Sequence, residues 1–130
     1  MARPFPNRKE VDALKVEPIE LARRLVDAIV DKKGEDVLLL DIREQAVFTD
    51  YFIICSGESE RQLRAILEGV RETAKKQFHT LPLQVEGEAI SGWVLVDYGD
   101  VIVHIFAPEL RTYYDLEGLW REGRVVVRIQ

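Results

Sequence analysis

The chain has 130 residues, 47% hydrophobic and 32% charged, the size and make-up of one globular domain with a proper core. Its 18 basic and 23 acidic residues give a net charge of −5, which argues against general nucleic-acid binding and favours a basic protein partner. A single cysteine, Cys55, excludes an internal disulfide and fits a reducing, cytoplasmic setting, and no apolar run approaches the roughly 20 residues of a membrane span.

Residues 1–16 hold Pro4, Pro6 and mixed charges and read as an N-terminal arm, with Val11-Asp12-Ala13-Leu14 as a short helical turn. The domain proper is expected over residues 17–122, and residues 123–130 as a tail or an extra strand. Pro18 suits the first position of a helix, where its missing N–H goes unused. Ile19, Ala22, Leu25 and Ile29 follow at helical spacing, and Gly34 is expected to close that helix. Val37-Leu38-Leu39-Leu40-Asp41-Ile42 and Tyr51-Phe52-Ile53-Ile54-Cys55 are apolar runs of the kind that form strands covered on both faces. Ser59 and Gln62 match a capping box ahead of the helical stripe Leu63, Ile66, Leu67, Val70, Ala74 and Phe78.

After Pro82, Leu83-Gln84-Val85 restarts extended structure. Gly92 to Phe106 then reads as a hairpin whose turn carries Asp97, Tyr98, Gly99 and Asp100. Pro108 ends its second arm. Leu110, Tyr113, Tyr114, Leu116, Leu119 and Trp120 predict one or two short helices, and Val125 to Ile129 a possible last strand. The fold class is α/β: a mixed β-sheet flanked by helices.

Reactive groups are sparse. Cys55 ends an apolar strand and reads as a small buried hydrophobe, since nothing beside it would lower its pKa. Gly57-Glu58-Ser59, between a strand and a helix, reads as turn and cap residues, or else as a phosphate-cradling helix start. The carboxylates Asp97 and Asp100 are separated by a turn and do not form the same-face pair that two-metal chemistry requires. Asp41 and Asp50 either organise local turns or border the functional face of the hairpin. His104 alternates with Val103 and Ile105 and reads as a structural histidine, lacking visible metal co-ligands. Trp93 has two readings, an interface anchor or a core indole packed on a helix.

Asp41-Ile42-Arg43 and the run Thr49 to Gln62, including Asp50-Tyr51-Phe52-Ile53-Ile54-Cys55-Ser56-Gly57, resemble a signature of the ribosomal silencing factor family (RsfS, or Iojap-like). Val85-Glu86-Gly87, Gly92 to Val101 and Tyr113 to Trp120 resemble its remaining blocks, in order, so the resemblance covers about residues 17–121. It implies a nucleotidyltransferase-like fold without the catalytic carboxylates, and a regulator that needs no cofactor or metal. It also implies binding to the large ribosomal subunit at the ribosomal protein uL fourteen, a block on small-subunit joining, repressed translation under nutrient limitation, and a homodimer when free. Neither a membrane nor a direct sequence-specific nucleic-acid contact is expected. On this reading Trp93 is the apolar anchor, Leu95, Tyr98 and Val101 add contact area, and Asp97 and Asp100 meet basic residues of the partner. The rival readings are a metal-dependent nucleotidyltransferase-like enzyme and a scaffold for a non-ribosomal partner.

Overall fold

The computed structural model describes residues 17–130; the expected arm and its Val11–Leu14 turn lie outside them. In chain order the elements are α1 (Pro18–Asp31), β1 (Glu35–Asp41), β2 (Tyr51–Ser56), α2 (Glu60–Phe78), β3 (Gln84–Glu86), a 3-10 turn (Ala89–Ser91), β4 (Trp93–Asp97), β5 (Val101–Phe106), α3 (Pro108–Tyr114), α4 (Leu116–Leu119) and β6 (Arg124–Ile129). The strands form one sheet in the order β3-β4-β5-β2-β1-β6, parallel between β2 and β5 and antiparallel elsewhere. The mixed sheet with flanking helices is thus the architecture expected, and the possible last strand is its edge strand β6.

Both long helices lie on one face. Leu21, Leu25 and Ile29 of α1 and Leu63, Ile66 and Val70 of α2 recur at three and four residues, so each helix buries one stripe. Those stripes close over Val37, Leu39, Ile53, Val94, Val103 and Ile105. The alternate residues of the same strands, Leu38, Leu40, Phe52, Ile54 and Phe106, form a second core on the other face. There Leu110, Leu116 and Trp120 pack against them. Strands buried on both faces explain the continuous apolar runs of β1 and β2.

Two helix ends depart from expectation in detail. The left-handed residue after α1 is Lys33 (φ 66°), not Gly34. Gly34 is needed for space instead, because a Cβ there would stand 2.4 Å from Ile29 Cγ2. At α2, Ser59 Oγ accepts from Gln62 N–H at 3.1 Å, as a capping box requires. The Gln62 side chain, however, accepts from Glu58 N–H (2.8 Å) and donates to the Lys33 carbonyl (2.6 Å), so it ties the cap to the end of α1.

Candidate docking surface

The second face of the sheet is covered over only part of its width. After β5 the chain must reach β6, which lies beyond β1, so α3 and α4 cross the β2 side of the sheet. Arg111 of α3 secures this crossing. Its side chain, 11% exposed, donates to Glu117 (2.8 Å), the Asp36 carbonyl (2.6 Å) and Ser56 Oγ (2.9 Å). Among the described residues no helix covers the β4 side of this second face, and β4 alternates between half-exposed Trp93, Leu95 and Asp97 and buried Val94 and Val96.

Aromatic rings span that second face in continuous contact. Phe48 meets Phe52 at 6.1 Å between centroids, Phe52 meets His104 at 4.9 Å, and His104 meets Trp93 at 6.0 Å. Trp93 stacks on Phe106 at 4.8 Å and touches Tyr114 at 4.7 Å, and Tyr114 touches Tyr113 at 5.0 Å. Trp120 packs edge-on against Phe52 and Phe48. The band is open at both ends, since Phe48, Tyr113 and Tyr114 are exposed. Beside it, Trp93 and Leu95 line a cavity of about 170 Å³ with Glu86 and Gly87. Residues 77–110, which include β3, β4 and β5, hold Glu86, Glu88, Asp97, Asp100 and Glu109 and neither Lys nor Arg.

The six residues singled out from the sequence divide. Trp93, Leu95 and Asp97 share the open face. Asp100 is exposed at the hairpin tip. Asp97 also holds the turn, its Oδ1 accepting Gly99 N–H at 2.7 Å. Val101 is a correction: it is fully buried in the helix-side core, because Ile102 and not Val101 falls on the open-face register. Tyr98 packs toward that same core, and burial pushes its phenol up to about 12. Trp93 combines its two readings, packed on rings beneath it and half-exposed above. Sequence reasoning left Tyr113, Tyr114 and Phe48 out of the surface. It also missed that His104 sits diagonally across the β4–β5 ladder from Trp93, which strand alternation places on the same face.

The other candidate groups are absorbed by structure. Cys55 is buried, donates to the His104 carbonyl at 3.7 Å, and is pushed up to about 12 by burial, far from a reactive thiolate. Asp41 accepts from Arg43 N–H (3.1 Å) and from the Arg43 and Arg124 guanidinium groups. The Arg43 hydrogen bond leads in holding its carboxyl down at about 2. Asp50 is shifted upward, by burial first and then by the charge of Asp100. Near α2, Gly57 N–H donates to Phe106 O, which removes one donor a phosphate would need. Among the described residues no three His, Cys, Asp or Glu side chains converge as metal ligands, and no helix is long and apolar enough to cross a membrane.

The structure is therefore an α/β sandwich whose open half-face presents aromatic rings and an acidic rim. Residues 15–130 match the family described as ribosomal silencing factor during starvation, RsfS, and the chain belongs to that family. It is 39% identical over 107 residues to the ribosomal silencing factor RsfS of Halalkalibacterium halodurans, spanning 82% of this chain and 91% of that protein. It is 32% identical over 98 residues to the mouse (Mus musculus) protein named mitochondrial assembly of ribosomal large subunit protein 1, spanning 74% of this chain and 43% of that one. A crystal structure from Chromobacterium violaceum superposes with a TM-score of 0.77 at 35% identity, covering 82% of this chain and 88% of that chain.

Proposed function

We propose that this protein docks through the open half of its sheet on the large ribosomal subunit, at the ribosomal protein uL fourteen. There it keeps the small subunit away by filling the space that subunit needs. Translation falls as a result when nutrients are scarce. No bond is broken, and the protein acts in the cytoplasm without a cofactor. The observation that carries this reading is the exposed aromatic band around Trp93, flanked by the chain segment 77–110, which carries five carboxylates and no Lys or Arg. Membership of the silencing factor family and the large-subunit name of the mouse relative support it.

A standard interface of about 800 Å² per partner suffices for such a contact. Trp93 is the anchor, Leu95, Tyr113 and Tyr114 extend the apolar area, and Asp97 and Asp100 face Lys or Arg on a basic ribosomal protein. Aromatic anchors carry more affinity than rim charges, which chiefly set encounter rate and specificity. Free in solution the same rings favour cover, and the reading includes a homodimer in that state. The test is sedimentation of purified subunits with and without the protein. Free subunits accumulate, and the protein travels with the large subunit alone. Normal subunit joining at saturating protein overturns the reading.

A further inference from the structure

We propose that His104 is a positioning residue for docking: its Nδ1 holds the Trp93 indole in the orientation the partner meets. The inference rests on the docking reading above. Trp93 Nε1 donates to His104 Nδ1 at 3.3 Å, between two side chains that lie diagonally across the β4–β5 ladder. An indole N–H can only donate, so Nδ1 carries a lone pair and the imidazole proton sits on Nε2. Burial at 5% exposure keeps the ring neutral, with its pKa lowered to about 4, so this acceptor persists through the physiological range.

The rest of the environment makes the histidine a poor choice for packing alone. Nε2 is buried and has no hydrogen-bond partner among the described residues. The ring is walled by Phe52, Phe106 and Trp93. A leucine would fill such an apolar site without leaving a buried polar atom unsatisfied. What the imidazole adds is one acceptor, aimed at the residue that anchors the surface. Below the indole, Phe106 fixes the height of its ring; the hydrogen bond fixes its rotation about χ2, which stacking alone leaves broad. An anchor already held in its bound rotamer loses less side-chain freedom on association.

The test compares His104→Leu, His104→Asn and His104→Gln in the full chain. On the free protein, the indole N–H proton of Trp93 is followed by NMR, with Trp120→Phe assigning the two tryptophan signals. Wild type and His104→Asn, whose amide oxygen can stand near the position of Nδ1, show a hydrogen-bonded, exchange-protected indole. In His104→Leu and His104→Gln the signal moves upfield and exchanges faster. Affinity for purified large subunits falls about fivefold in Leu and Gln, one hydrogen bond's worth, and recovers in Asn. The Asn and Gln pair, alike in polarity, keeps the comparison informative if Leu repacks or misfolds. An unmoved indole signal and unchanged binding in Leu and Gln, while Trp93→Ala binds weakly, overturn the positioning role alone. Unchanged binding by Trp93→Ala overturns the docking reading and the positioning role with it.

Discussion

His104 also shapes how stability depends on pH. An unfolded imidazole takes up a proton near pH 6.5, whereas the buried ring resists it down to about 4. Between these values the unfolded state binds more protons, so stability rises with pH across the window and is lost as pH falls through it. The full swing is about 3 kcal/mol for a group this well buried. His104→Leu removes that contribution, and denaturant unfolding at several pH values between about 4 and 7 reads it as a flatter curve for the variant. Equal slopes in the two proteins contradict the assignment. A second contrast concerns the surface. Trp93→Ala is expected to weaken large-subunit binding by about 2 kcal/mol or more, whereas Asp100→Asn costs less and acts mainly at low salt. Trp93→Ala also lowers thermal stability through the lost Phe106 stacking but stays folded, because the open face leaves the truncated site accessible to water. Competition binding and circular dichroism on the same samples separate the two effects.

At the scale of elements, β6 is an edge strand with exposed Val125 and Ile129, and such an edge invites pairing with another chain. Two features oppose this. The register against β1 shifts between Leu39 and Leu40, leaving Val126 as the extra residue of a bulge. Antiparallel self-pairing centred on Val126 would also set Arg124 of one copy against Arg128 of the other, like charges directly across a ladder. Arg128→Val removes both repulsive pairs and leaves the Arg124–Asp41 bridge intact. The variant is expected to shift toward larger species than wild type as concentration rises, read by light scattering after size exclusion. The same element shows what the sequence can and cannot reveal. Apolar runs and helical stripes marked the strands and helices one by one, because burial on one or two faces leaves a periodic trace. The placement of β6 beside β1 leaves none. That pairing draws α3 and α4 across the β2 side and so decides that Trp93 stands on open ground. Val101 was misplaced for a related reason: in a continuously apolar strand, alternation is visible only once the register with β4 is known.

Charge gives the whole molecule a direction. Residues 77–110 contribute five carboxylates and no Lys or Arg, enough to account for the net charge of −5, while the exposed surfaces of α1 and α2 mix both signs. The segment that supplies β3, β4 and β5 is therefore acidic, and charge of that sign favours a basic surface over bare phosphate backbone. On the proposed docking reading, this arrangement adds selectivity on a particle made largely of RNA, because misplaced encounters with exposed rRNA are disfavoured. Reversing Glu88 and Asp100 together to Lys is expected to slow association with the large subunit about tenfold at low salt, with little change in the dissociation rate. The difference should shrink at about 0.5 M salt, where screening shortens to a few ångströms. Reversing Lys75 and Lys76 to Glu, on the far helix α2, should leave both rates near wild type. Stopped-flow association over a salt series makes the comparison. If the Lys75 and Lys76 reversal speeds binding as much as the first double variant slows it, net charge governs the encounter; if only the first changes the association rate, the acidic rim is the surface that meets the partner.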